Sequence, residues 1–196
     1  MKIKNPPTSV FYEKLYIKLR EFLERFELFS EKDICIIIDN KICDDSFLSS
    51  DYPILGMMYR RDKKKKREYT IEFSELTSLD FKDKTTIDLI NFRHKVYFDM
   101  SILITSPEAI ALFVLLHEIG HMHYYQKFLH FCENDTMLLD AYVSSVRGIY
   151  HQTMRPWELS PMNAADTYVT FSGIESYAEL FAFKHFPYFI ELVKEI

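Results

Sequence analysis

Residues 106–121 read SPEAIALFVLLHEIGH, a polar start followed by an unbroken apolar run and then by an H-E-x-x-H pattern. The residues from Thr105 to Glu108 either form a capping box or place Ser106 as the cap with Pro107 at the first helical position. Both alternatives predict that a helix begins here and continues towards Tyr125. The sequence therefore predicts that the H-E-x-x-H pattern lies on a helix.

The histidines of this pattern have the spacing of a zinc site. His117 and His121 lie four residues apart on one helix face, so both imidazoles can reach a single Zn²⁺ at roughly 2.0–2.1 Å. Zinc lowers the pKa of a bound water towards roughly 7, and Glu118 can take the proton of that water as a general base. The alternatives are a coincidental histidine pair and a closed structural zinc site. The first would bury polar groups without partners, and the second usually recruits cysteines, none of which has ligand spacing here.

A catalytic zinc needs a third protein ligand, which has to come from further along the chain. A metzincin would have Gly at position 124 and His at position 127. The chain has Tyr124 and Lys127 there, which excludes that class.

The favoured third ligand is Glu175, in the pattern E-x-x-A-E-x-F-A of residues 175–182. Glu179 lies one turn on and can accept the free imidazole N–H of His117 or His121. The small residues Ala178 and Ala182 allow a neighbouring helix to approach closely. Alternatively, Ser172 and Glu175 form only a capping box, and the third ligand is one of five other residues: Asp140, His151, Glu158, Asp166 and His185.

HEIGH on a helix and E-x-x-A-(acid)-x-F-A on a later helix together resemble the ImmA/IrrE-type zinc metallopeptidases, within the gluzincin class that includes thermolysin. The resemblance covers about residues 106–124 and 173–186. It implies a zincin-like fold, with His117, His121 and Glu175 as zinc ligands and Glu118 as general base. Such proteins are intracellular, are often encoded by phages or mobile elements, and several act on a cognate DNA-binding repressor.

The chain departs from this family in two places. Glu179 stands where the family more often has Asp or Asn. The segment between His121 and Glu175 is longer than expected, which predicts an extra helical element within residues 122–172.

Hydrophobic periodicity predicts an α+β fold for the chain. The predicted elements of the first half are a helix over 10–29, a strand over 34–38, a hairpin of 54–59 and 68–73, and a strand over 95–99. Residues 60–67 read RRDKKKKR and are interpreted as a solvated hairpin tip, or alternatively as a docking site for an acidic partner or nucleic acid. Further helices are predicted over 136–147, 160–168 and 172–186, the last ended by Pro187.

Several other polar residues are considered as an oxyanion donor or as metal ligands. A zincin needs a donor to the developing oxyanion, and four residues are candidates that the sequence does not rank: His151, Arg155, Tyr168 and Tyr177. His123 lies about 200° around the helix from His121 and is interpreted as a surface or packing residue. His130 and Cys132 lack a partner pair for a second metal site.

Composition narrows the function classes. The 196 residues are 48% hydrophobic and carry a net charge of -5, which argues for one compact domain and against a general nucleic-acid binder. Four glycines make a glycine-rich phosphate loop unlikely, and three cysteines without a C-x-x-C pair suit a reducing compartment. The longest apolar run, 109–116, is less than half of the roughly 20 residues of a membrane span.

The sequence thus predicts a cytoplasmic, single-domain zincin-like protein over 1–196, with an α/β part over about 1–104 and a helical zinc-binding part over about 105–196. The expected function is Zn²⁺-dependent hydrolysis of a peptide bond in an intracellular protein, such as a transcriptional regulator. The alternatives are a binding module that recognises a protein or nucleic acid with little hydrolysis, and a zinc hydrolase acting on a small amide.

Overall fold

The computed structural model describes residues 1–30, 34–42, 56–63, 66–76, 106–133, 135, 137–138 and 173–195. These residues form a mixed α+β structure, as predicted. In chain order its elements are β1 (Lys2–Ile3), α1 (Val10–Glu24), α2 (Glu27–Ser30), β2 (Ile34–Ile42), β3 (Gly56–Lys63), β4 (Lys66–Glu75), α3 (Pro107–Phe131), α4 (Gly173–His185), a 3₁₀ helix (Phe186–Phe189) and α5 (Ile190–Lys194).

The chain divides into two compact units, one of Met1–Leu115 with His185–Ile196 and one of Leu116–Lys184. The single domain predicted over residues 1–196 stays a prediction. No helix among the described ranges is both long and apolar enough to cross a membrane.

The first unit contains a four-stranded mixed sheet of order β1-β2-β4-β3. Strand β2 is parallel to both β1 and β4, and β3 is antiparallel to β4. Ile38 and Ile71 lie opposite each other on the two central strands and are fully buried. The strand predicted over 34–38 is correct in place but shorter than the observed Ile34–Ile42.

Apolar side chains at helical spacing make α1 amphipathic and bury one of its faces. Tyr12, Leu15 and Leu19 are fully buried, and the Tyr12 ring lies 6.4 Å from the ring of Phe73 on β4. The helix predicted over 10–29 is wrong in its length, because α1 ends at Glu24 and α2 begins at Glu27. Phe26 N–H donates to the carbonyl of Leu23 at 3.2 Å, a tightened last turn that ends the first helix.

A buried polar cluster ties the N-terminal segment to the sheet. Glu75, at the end of β4, is 2% exposed and accepts hydrogen bonds from the Thr8 backbone N–H at 2.7 Å, from Asn40 Nδ2 at 2.8 Å and from the Tyr16 hydroxyl. Burial and this contact with Glu75 raise the pKa of Tyr16 well above its usual range, so Tyr16 remains a donor. The Glu75 carboxylate is therefore satisfied by hydrogen bonds.

The hairpin of β3 and β4 is confirmed, but its predicted tip is wrong. The strands continue through Lys63 and resume at Lys66, so most of the basic run lies within paired strands. The register places Arg61 opposite Glu68 and Asp62 opposite Arg67. Opposite charges at directly opposed positions, such as Arg61 and Glu68, favour continued pairing in an antiparallel pair.

Helix α3 begins as the sequence predicts, with Ser106 as its cap. Ser106 Oγ accepts the backbone N–H of Ala109 at 3.1 Å, and Pro107 occupies the first helical position. Helix α4 covers Gly173–His185, within one residue of the prediction at each end. Asp135 Oδ1 accepts the backbone N–H groups of Met137 and Leu138, which are both helical and lie within the helix predicted over 136–147. The strand over 95–99, the helix over 160–168 and the rest of 136–147 lie outside the described residues.

Candidate metal centre

Helices α3 and α4 meet at a point where neither has a bulky side chain. A Cβ atom built on Gly120 would lie 2.7 Å from the Cα and 2.9 Å from the carbonyl oxygen of Ala178. Ala178 and Ala182 are both fully buried, as the sequence prediction of close helix approach requires. The side chains that flank this contact are thereby brought within reach of each other.

The three predicted metal ligands lie together on one side of the contact. Glu175 Oε2 is 3.2 Å from His117 Nε2 and 3.3 Å from His121 Nε2. One nitrogen or oxygen from each of the three residues lies within 4.8 Å of the others, and no other such group occurs among the described residues. All three side chains are partly buried, with 12–17% of their surface exposed.

These separations suit a zinc ion. Tetrahedral zinc with ligand bonds of about 2.0–2.1 Å has its ligand atoms about 3.3 Å apart. The two measured distances to Glu175 Oε2 are 3.2 and 3.3 Å, as expected for neighbouring corners of such a tetrahedron. Two imidazoles and one carboxylate are also a known donor set of catalytic zinc sites. The residues therefore fit the metal that the sequence predicts.

Glu179 contacts His117 on its second ring nitrogen, Nδ1. Its Oε2 lies 3.2 Å from His117 Nδ1, and the Glu179 side chain is 8% exposed. The sequence left open which histidine Glu179 accompanies, and the structure places it beside His117. A carboxylate on the distal nitrogen of a ligating histidine fixes the ring orientation and its tautomer.

The carboxylates strongly perturb the titration of His117 in the metal-free protein. Burial lowers the pKa of His117, but hydrogen bonds to Glu175 and Glu179 outweigh it and raise the pKa to about 10. Burial raises the pKa of Glu175, and the hydrogen bonds to His117 and His121 more than reverse this, so the pKa lies well below its usual range. The raised pKa of His117 favours its imidazolium form, in which both ring nitrogens are donors.

Glu118, the predicted general base, is buried beside this group with 7% of its surface exposed. Its negative charge contributes to the raised pKa of His117, which places it within electrostatic reach of the candidate metal ligands. On a helical wheel of about 100° per residue, Glu118 lies on the far side of His121 from Gly120. It therefore projects from a different side of α3 than the residues that meet α4.

The opposite flank of the helix pair is also polar. His123 Nδ1 lies 2.7 Å from the hydroxyl oxygen of Tyr177, and the two rings are nearly parallel with centroids 5.9 Å apart. The His123 ring also lies 5.2 Å from that of Phe181. His123 is thus a packing residue, in agreement with the sequence interpretation.

The structure also describes three further residues that the sequence raised as possible metal ligands, namely His130, Cys132 and His185. The His185 ring packs 5.2 Å from Phe22 and 5.4 Å from Phe26 in an aromatic cluster. Cys132 is buried in an apolar cluster with Tyr124, and His130 is exposed. The remaining candidates for the third ligand and the oxyanion donor lie outside the described residues: Asp140, His151, Arg155, Glu158, Asp166 and Tyr168.

Gly120 is the residue of this site that sequence reasoning missed. A glycine inside a helix costs about 1 kcal/mol relative to alanine, so its presence between the two histidines signals a packing requirement. The contact with Ala178 is that requirement.

Comparison of the chain with protein-family models, with curated proteins and with solved structures finds no match.

Proposed function

We propose that this protein is a zinc-dependent metallopeptidase with a zincin-like fold and the ligand set His117, His121 and Glu175. The observation that carries the proposal is the convergence of two imidazole nitrogens and one carboxylate oxygen at separations of 3.2 and 3.3 Å. The H-E-x-x-H pattern on α3 supports a hydrolase over a purely structural site, because Glu118 supplies a base next to the histidines.

When bound, zinc would act as a Lewis acid on a scissile carbonyl and lower the pKa of a water molecule. Glu118 takes a proton from the attacking water and passes it to the leaving amine. His117 and His121 would hold the zinc through Nε2, and Glu179 would hold the His117 ring by its Nδ1–H. Partial burial of the group reduces competition from bulk water and strengthens its electrostatic interactions.

The proposed substrate is an intracellular protein, and its proposed class is a DNA-binding repressor. This part of the proposal is supported by the resemblance of residues 106–124 and 173–186 to ImmA/IrrE-type metallopeptidases. A small-amide hydrolase would differ in one measurable respect, since it would cleave short blocked dipeptides efficiently.

The test is the zinc content of the purified protein, measured by atomic emission after a metal-replete preparation. We expect one zinc per chain in the wild type and in Glu118→Gln, and none in Glu175→Ala. Glu191→Ala is the matched control, because Glu191 is an exposed carboxylate paired with Lys194. It is expected to keep its zinc.

Activity on an unfolded protein substrate is then measured for the same variants. Removing the general base in Glu118→Gln is expected to lower the rate by about 10²–10⁴-fold while the zinc remains. A wild type without zinc would overturn the peptidase proposal and favour the binding module. Full zinc retention by Glu175→Ala would overturn the assigned ligand set.

A further inference from the structure

The contact surface of α3 and α4 consists of three parallel rows of residues. At about 100° per residue, Gly120 lies between the histidine pair and His123 on the surface of α3. At the same angle per residue, Ala178 lies between the Glu175–Glu179 pair and Tyr177 on the surface of α4. The metal ligands form one outer row, the two small residues form the central row, and His123 with Tyr177 forms the other outer row.

The central row brings the two backbones together but does not fix the rotation of α4. The atoms that a Cβ on Gly120 would meet are the Cα and the carbonyl oxygen of Ala178 and the Cβ of Phe181. A contact between small residues does not by itself set the rotation of α4 about its own axis. Rolling would move Glu175 relative to the two imidazoles, so a directional contact on the other side of the interface would support the contacts that Glu175 makes with His117 and His121.

The second outer row supplies a directional contact. The 2.7 Å hydrogen bond between Tyr177 and His123 has a restricted geometry, and the parallel rings limit sliding along the helices. Tyr177 also packs edge-on against Tyr124, with centroids 5.3 Å apart. Burial raises the pKa of Tyr177, so its hydroxyl keeps the proton it donates to Nδ1 when the His123 proton is on Nε2.

We propose that Tyr177 and His123 are positioning residues, which set the rotation of α4 and thereby hold the Glu175 carboxylate between His117 and His121. This inference rests on the proposed metal function. It also gives Tyr177 a different role from that of oxyanion donor, because its hydroxyl contacts His123 on the side of the interface away from the ligands.

The first test is Tyr177→Phe, which removes the hydroxyl and keeps the ring. We expect the zinc affinity, measured by competition with a chelator, to fall by about 3- to 10-fold, the change that one lost hydrogen bond produces. The visible spectrum of the Co²⁺-substituted protein should change in band position and intensity, since it reports the arrangement of the ligands. Tyr125→Phe is the matched control, because Tyr125 packs against the same apolar cluster as Tyr177.

The second test needs no metal. The ring ¹H–¹⁵N signals of His117 and His121 in chelator-treated protein should shift in Tyr177→Phe and stay in place in Tyr125→Phe. His123→Leu should reproduce the shift, and His123→Gln, which can still accept the Tyr177 hydroxyl, should restore the wild-type positions in part.

The results separate this inference from the proposed function. A wild type that binds no zinc ends the peptidase proposal, and the imidazole signals still decide the inference. Unchanged imidazole signals in Tyr177→Phe overturn the inference, as do equal effects of Tyr177→Phe and Tyr125→Phe. A loss of thermal stability alone, with the signals and the Co²⁺ spectrum unchanged, would likewise show that Tyr177 is only structural.

Discussion

Gly120 approaches Ala178 so closely that a Cβ atom on residue 120 would stand 2.7 Å from the Ala178 Cα, well inside van der Waals contact. The atoms it would meet belong mainly to the backbone of α4 and have no rotamer by which to move away. This contact sets the separation of the two helices that carry the candidate ligands.

Gly120→Ala should therefore destabilise the metal-free protein. Overpacking costs about 1–3 kcal/mol, and the higher helix propensity of alanine offsets about 1 kcal/mol of that. We expect a net loss of about 1–2 kcal/mol in urea denaturation with chelator present. The double variant Gly120→Ala/Ala178→Gly should gain nothing from the smaller residue, because the clash is with backbone atoms. A stabilised Gly120→Ala protein would contradict the close contact.

Glu179→Ala should weaken zinc binding without removing a ligand. The Glu179 carboxylate lies 3.2 Å from His117 Nδ1, and losing such an outer partner typically costs about 10–100-fold in metal affinity. The affinity is measured by chelator competition. Leu180→Ala, an adjacent and exposed position on the same helix, is the control and should bind zinc like the wild type. Equal affinities for Glu179→Ala and Leu180→Ala would refute the orienting role.

The metal-free protein should lose stability as the pH rises above 6.5. The pKa of His117 is raised from 6.5 to about 10 on folding, so between these values the folded chain binds more protons than the unfolded chain. The free energy of unfolding then decreases with pH over this range, and the contribution is fully present only below pH 6.5. Urea denaturation from pH 6.5 to 9 with chelator measures the slope. In His117→Gln this part of the slope should disappear.

The same raised pKa predicts that binding of zinc at the proposed site releases a proton from His117. A ligating imidazole is neutral at the nitrogen that binds metal, whereas His117 in the metal-free protein is protonated at pH 7. Zinc affinity should therefore rise by about tenfold per pH unit over the range in which this proton is displaced. Calorimetry in two buffers of different ionisation enthalpy counts the protons. Proton-free binding at pH 7 would show that His117 is already neutral.

Glu75→Ala should destabilise the protein because it leaves several polar groups of the first unit without their acceptor. It removes the acceptor for the Thr8 N–H, the Asn40 amide and the Tyr16 hydroxyl, and unpaired buried donors cost about 1–3 kcal/mol. Thermal denaturation should show a loss of about 2–3 kcal/mol. Glu72→Ala on the same strand removes an exposed pair with Lys41 and should cost less than about 1 kcal/mol.

The parts of the structure that follow from local rules were predictable. Ser106 and Pro107 mark the start of α3 by cap chemistry, and the four-residue spacing of His117 and His121 puts them on one face whatever the tertiary fold. The position of Glu175 beside the two histidines was predictable because its own helix carries a second carboxylate and two alanines at regular spacing, whereas its role as a metal ligand stays a prediction. The α+β class followed from the change of hydrophobic period along the chain.

The end of β2 was predicted wrongly because contacts between residues distant in the sequence override the local pattern. Asp39 and Asn40 look like the end of a strand, yet they are buried inside β2 because Lys4 pairs with Asp39 at 2.6 Å and Asn5 bonds to Asn40. The end of α1 at Glu24 could not be predicted from the sequence, for a different reason. Phe22 and Phe26 keep the helical spacing across it, and their rings pack together with centroids 5.0 Å apart.

The contact of Gly120 with Ala178 also bears on how such a site can be lost over generations. Replacing a candidate ligand changes the motif itself, so the loss of the site can be recognised from the sequence. A larger residue at position 120 leaves both histidines and both glutamates in place while it forces α4 away from α3. A descendant of this kind would keep the H-E-x-x-H pattern and lose the arrangement of the candidate ligands. The glycine at position 120 is therefore as diagnostic of this arrangement as the candidate ligands themselves.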